Sequence, residues 1–303
     1  MRLIAGLLPA VLIAAPAWAA GEKLPKAPAY VLEADRQAPA GRAGQIEIAQ
    51  TEIGSAIELG RVAQDYYGGG ALDYWWFSQY DNKADILGAL AWREAEQKVG
   101  PVRRATAGFD LEGLSLATVR AGLAASSWFK AEPLEINRRP SPGSRLDFAD
   151  VAPTGQVAFV SIYSFLSPDF NQVEVLVDIT IGQKTKAKKK PKIIFFHRMA
   201  SVVQLQKTSF DSGANIRAWS ANDGKRTREA LQLAMTRMQA MIPQALDMSQ
   251  AEALRLAPPK PVPGQEMAQV AGRYGPVVDR DRNGPGSLTI WSKGLVSVQK
   301  LPE

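Results

Sequence analysis

Residues 156–184, QVAFVSIYSFLSPDFNQVEVLVDITIGQK, decide the fold. The apolar run ending at Leu166 reads as a strand, Ser167-Pro168-Asp169 as a tight turn, and the stretch after it as a second strand. There Val173, Val175, Val177, Ile179 and Ile181 alternate with Glu174, Leu176, Asp178 and Thr180. That period of two predicts a half-buried strand with one core face. KIIFFHRMASVVQL (192–205) reads as a third, more central strand, because its apolar run 193–196 does not alternate. A helix is expected after Trp219-Ser220-Ala221-Asn222-Asp223-Gly224, capped by Asn222 or Asp223. Leu231, Ala234, Met235, Met238, Met241, Ile242 and Ala245 form its apolar stripe, with methionine as adaptable core filler. An antiparallel meander closed by one amphipathic helix is therefore the centre of an α+β fold.

Toward the N-terminus, 111–129 reads as a helix with Leu116, Val119, Leu123 and Ala124 on one face. EPLEINR (132–138) reads as an edge strand stopped by Arg139-Pro140-Ser141-Pro142-Gly143. From Ile46, the residues Ile48, Ile53, Ile57, Val62 and Tyr66 recur at near-helical spacing until Gly68-Gly69-Gly70, which reads as a hinge or helix stop. A short strand is expected at 29–32, within a Pro-, Ala- and Gly-rich leader. Toward the C-terminus, Pro258-Pro259-Lys260-Pro261-Val262-Pro263-Gly264 is a stiff linker. Two strands flanking Asn283-Gly284 follow it as a small β appendage. The expected organisation is a signal peptide over 1–19, a flexible leader over 20–44 and a helical region over 45–108. The α+β core over 109–256, the linker over 257–264 and a small β-hairpin module over 265–303 complete it.

Arg2, the apolar run 3–15 and Ala17-Trp18-Ala19 fit a secretory leader cleaved after Ala19; a retained one-helix anchor is the alternative. The expected location is the periplasm, with the mature chain soluble or peripheral on a surface. With no cysteine, the chain has no lipid-modified cysteine and no disulfide staple. The formal net charge is +6, and Lys184, Lys186, Lys188, Lys189, Lys190 and Lys192 are six positives in one loop. The basic excess belongs to that loop and not to the surface at large, which argues against nucleic acid as a partner. One reading of the loop is a solvated connection whose charge blunts a sheet edge. The other is docking on an anionic surface, at about 1 kcal/mol for each lysine near it.

Little else points to chemistry. His197 is the single histidine, and it ends an apolar strand without a recognisable partner for general-base work. Ser297-Val298-Gln299-Lys300 has an S-x-x-K form, but it lies in a terminal strand instead of opening a helix, and the chain order is wrong for acyl transfer. Asp279, Asp281 and Asn283 repeat the first half of a calcium loop, yet Ile290 stands where a bidentate glutamate belongs, so a hairpin turn is the simpler reading. Lys225, Arg226 and Arg228 open a helix, where cations are disfavoured unless nearby acids such as Asp223 and Glu229, or a bound anion, offset them. The window ALDYWWFSQYDN, centred on Trp75 and Trp76, suits core packing or an exposed platform for glycan or peptide. No cofactor is expected.

The 111–129 helix, the strand hairpin around Ser167-Pro168-Asp169, and Trp219-x-x-Asn222-x-Gly224 before a closing helix resemble a known pattern. It is that of Gram-negative envelope proteins and lipoproteins with a curli-secretion or TolB N-terminal-like α/β domain. The resemblance covers 109–248 and carries no signature motif. It implies a non-catalytic role in envelope assembly or transport complexes, often oligomeric; the missing lipobox cysteine departs from it. The leading expectation is a non-enzymatic envelope component contacting a protein partner, or an anionic lipid or lipopolysaccharide surface, through the basic hairpin loop. A glycan- or peptide-binding module using Trp75 and Trp76 is the alternative. An unrecognised carboxylate hydrolase, with acids such as Asp147 and Asp150, is the second alternative.

Overall fold

The computed structural model describes residues 27–48, 50–55, 97–185, 188–257, 263–282 and 286–302. The meander forms as its apolar pattern requires, from β4 (Gln156–Leu166), β5 (Gln172–Thr185) and β6 (Lys188–Gln204). β4 and β5 stay in register from Gln156↔Gln183 to Leu166↔Val173. The turn between them is locked by its own polar residues: Ser167 Oγ donates to Asp169 Oδ1 at 2.6 Å. Phe170 there takes a positive φ of 55°. Its carbonyl accepts from the buried Trp219 indole at 2.7 Å, tying the turn to the long helix.

Other strands extend this meander on both sides. The ten-stranded sheet has the order β3-β1-β4-β5-β6-β10-β9-β8-β7, with β2 beside β4. β1 (Arg42–Ile48) lies parallel to both β4 and the edge strand β3 (Leu134–Asn137), and β2 (Gly54–Ser55) is a short parallel pair on β4. Parallel neighbours need crossovers, and α2 (97–105) and α3 (Leu111–Ala124) lie in the chain between β1 and β3. On the other flank run β7 (Met267–Val270), β8 (Arg273–Arg280), β9 (Leu288–Trp291) and β10 (Leu295–Lys300). β10 joins the sheet parallel to β6, from Leu295↔Met199 to Lys300↔Gln204. The two strands expected to flank Asn283-Gly284 are β8 and β9, paired through Arg280↔Leu288; that dipeptide itself lies outside the described residues.

One face of the sheet carries the main core. Ile46, Val160, Val175, Val177, Ile179, Phe195 and Met199 are buried there against α3 and α5 (Ser212–Leu246). The stripe Leu231, Ala234, Met235, Met238, Met241, Ile242 and Ala245 is buried as its spacing predicts. α3 crosses α5 closely because Gly122 has no side chain: an added Cβ would lie 2.8 Å from Ile242 Cβ.

Four local expectations change. The helix does not begin after Gly224, because 212–220 is already helical, capped by Asp211 on the Gly213 N–H. Asn222, Asp223 and Gly224 take left-handed φ of 51°, 53° and 70°, forming a kink between two helical stretches. Asn, Asp and Gly tolerate that conformation best, so the sequence marks a joint, not a start. Residues 29–32 form no strand; a bend leads into α1 (Glu33–Arg36). Ile46 and Ile48 lie in β1 and not in a helix, since β-branched residues at a spacing of two suit a strand; Ile57, Val62 and Tyr66 lie outside the described residues.

The fourth change concerns β5, which is buried on both faces from Gln172 to Gly182 and not on one. Its second face is covered by α4 (Pro142–Val151), whose Phe148 meets Phe159 edge-on at 5.8 Å. The curled β7–β8 strands cover the remainder, over Tyr163, Phe165, Leu176, Ala200 and Val202.

Candidate functional site

β5 and β6 continue past Gln156, where β4 starts, so their far ends form a two-stranded ribbon beyond the sheet. Gln183 pairs with Lys192 and Thr185 with Lys188, with a register shift between the two pairs. The described lysines therefore lie on paired strands and not in an open loop. Its base is anchored: Lys184 Nζ donates to the Ala152 carbonyl at 2.7 Å, and Gln183 Nε2 to the Gly155 carbonyl at 2.9 Å. Pro191 seats over Gly182, where a Cβ would lie 2.8 Å from the proline Cβ. A proline within a strand marks an edge, because it has no N–H to donate.

The six lysines are not equivalent. Lys184 spends its ammonium on the anchor, Lys190 and Lys192 are exposed, and Lys188 and Lys189 lie on β6. Lys186 lies outside the described residues. Beside the ribbon, Ile193 is 39 % exposed. This arrangement holds positive charge at fixed strand spacing, ready for an anionic or acidic contact.

Other sequence candidates are dispersed. Trp75 and Trp76 lie outside the described residues, as does Asn283. Asp279 lies in β8 with an oxygen 3.9 Å from Arg237 Nη2, while Asp281 Oδ1 accepts the Gly286 N–H. Among the described residues no group of three or more His, Asp or Glu side chains could hold a metal ion. His197 is buried between Phe195 and Trp291, its ring 5.2 Å from the indole in an edge contact. Burial pushes its imidazole down to about 4, against a smaller upward pull from the Ala29 carbonyl. Ser297 Oγ accepts from the buried Arg237 guanidinium at 2.9 Å. Three residues along a strand, Ser297 and Lys300 fall on opposite faces, which removes the S-x-x-K pairing. Two of the three cations opening the second half of α5 have local partners: Lys225 lies 3.8 Å from Glu229, and Arg228 donates to the Ala105 and Asp223 carbonyls.

A row of polar residues on the second sheet face, buried at Glu47, Ser161 and Asp178, was not read from the sequence. Asn137, Glu47, Ser161, Asp178 and Arg198 are successive register partners across β3, β1, β4, β5 and β6. Arg198 grips Asp178 through two bonds of 2.8 Å. Arg145, from α4, grips Glu47 at 2.8 and 2.6 Å and reaches Ser161 Oγ at 2.9 Å. Arg273, from β8, meets Glu174 at 2.5 Å. All three carboxylates are almost wholly buried, while the guanidinium groups keep slight exposure. Burial, and then the Glu47 charge, pushes the Tyr163 hydroxyl well above its usual range. The signal available in the sequence was Glu174 and Asp178 in β5, but their spacing equally describes a solvent face. The Arg145–Glu47 and Arg273–Glu174 pairs hold α4 and β8 onto the sheet by satisfying charges that the covering elements have removed from water.

No family model matches the chain, and neither a curated protein nor a solved structure matches it. Among the described residues no helix is long and apolar enough to cross a membrane.

Proposed function

We propose that this chain is a non-enzymatic component of the periplasm or cell envelope, an accessory of assembly or transport, whose contact element is the basic β5–β6 ribbon. The observation that carries the reading is the ribbon's geometry. Its charge sits on paired strands with a base tied to Ala152 and Gly155, and Lys190 and Lys192 face solvent. A pre-ordered array loses less conformational freedom on binding than six lysines on a loose loop. The near-neutral balance of the remaining chain focuses attraction on this one element. The leader over 1–19 supports the compartment.

Sedimentation with anionic and neutral vesicles, and titration with a polyglutamate probe, test the reading at low and high salt. The wild type is expected to bind an anionic probe at low salt and release it at high salt. A variant with Lys184, Lys186, Lys188, Lys189, Lys190 and Lys192 changed to Gln should lose that binding while staying folded. Binding unaffected by the six substitutions, or none to either probe, overturns the proposal. Fractionation of expressing cells tests the compartment, and a cytosolic product would refute it.

A further inference from the structure

Among the described residues β6 has a continuous partner on one side only. β5 follows it along its length, but β10 covers it only from Met199 to Gln204. Ahead of that, the one backbone bond on the outer side among the described residues is Phe196 N–H to the Pro28 carbonyl at 3.3 Å. Along 188–195 no strand pairs with the outer side of β6 among the described residues. Between the two register shifts, at Ile181/Gly182 and Gln183/Thr185, and apart from Pro191, residues of this stretch aim backbone N–H and C=O groups away from the sheet, which makes it a template for another strand.

We infer that this open edge of β6 takes an extended, acidic segment of a partner protein by strand addition. The inference rests on the proposed role of the ribbon and names its partner. Charge complementarity selects the occupant. Lys190 and Lys192, two residues apart in β6, are both exposed, so an added strand there meets two cations. Ile193, 39 % exposed, offers an apolar contact between them and the core. Lysine and proline on an edge ordinarily repel strand pairing. Here they exclude neutral strands and a second copy of the same edge, which brings the same lysines, while an acidic strand meets no such opposition. The guard acts as a selector.

The test uses the purified protein and an extended peptide alternating glutamate with valine. Two further copies carry N-methyl groups on alternate amides, one in each phase, with charge unchanged. Strand addition predicts that one phase binds at least about tenfold more weakly while the other keeps its affinity, because only one edge of the peptide donates to β6. Hydrogen exchange at 188–195 should slow with the unmethylated peptide. If both methylated phases bind like the parent, the ribbon acts by charge alone; strand addition is then overturned and the contact role stands. Binding to anionic vesicles with none to any peptide likewise overturns strand addition and leaves a surface contact. Failure of both peptides and vesicles removes the inference together with the proposed function.

Discussion

Acidification should destabilise this fold through His197 more than through any surface group. The imidazole is 1 % exposed, sealed by Phe195, Trp291 and the chain at Ala29. Among the described residues its Nε2 has no hydrogen-bond partner. Burial lowers it to about 4 from the ordinary 6.5. The unfolded chain therefore takes the proton near its ordinary pKa, while the folded chain resists until about pH 4. Stability is full above the ordinary value, falls as pH drops through that window, and flattens below the folded value. The loss attributable to this residue is about 1.4 kcal/mol at about pH 5.5 and about 3 kcal/mol at about pH 4. The assay is denaturant unfolding of wild type and His197→Phe across that range. Carboxylates contribute to both proteins alike, so the difference isolates the imidazole. The wild type should lose about 3 kcal/mol relative to the variant by about pH 4. Exchange at 27–32, the segment over the ring, should quicken first. Parallel loss in the two proteins would refute the reasoning, because it would mean that the imidazole is not held away from water.

Asp178→Leu removes the carboxylate that Arg198 grips twice and should destabilise by about 3–5 kcal/mol in thermal or denaturant unfolding. Adding Arg198→Leu should return part of that loss; a double variant no better than Asp178→Leu would count against the pair. Gly122→Ala forces a Cβ into Ile242 and should reduce stability by about 1–3 kcal/mol, partly recovered by Ile242→Val. A neutral Gly122→Ala would show that the α3–α5 crossing has room. Lys184→Met cuts the bond to the Ala152 carbonyl and should quicken exchange in the ribbon by about tenfold. Unchanged exchange would mean that the base is held by Gln183 and the strand pairing alone.

The elements most legible in the sequence were those whose periodicity had one interpretation. The Leu231 to Ala245 stripe has a helical period over several turns, and the β4–β5 hairpin has apolar strands around a Ser-Pro-Asp turn. Ile46 and Ile48 failed because two or three apolar residues satisfy either period, and partners in β3 and β4 decided for the strand. The 212–220 helix was hidden because Asn222-Asp223-Gly224 reads as a boundary, whereas here it is a left-handed joint with Gly224 packed at the Ala105 carbonyl. Of the candidate site, the sequence showed which residues carry the charge. That Lys188, Lys189, Lys190 and Lys192 lie on a strand, with Lys184 withdrawn into an anchor, required the register of β5 against β6.

Local pattern alone determined the α+β class, the meander, the closing helix and the concentration of charge in one hairpin. Those properties follow from period and composition, which neighbouring residues carry themselves. Tertiary structure alone decided which face of β5 meets water, and neither does. Nothing near Glu47 or Glu174 in the chain announces that α4 and β8 will cover them with Arg145 and Arg273. It also decided that β10 pairs with only part of β6, leaving 188–195 without an outer strand among the described residues. Burial and edge exposure depend on segments far away in sequence, so they emerge only when those segments pack.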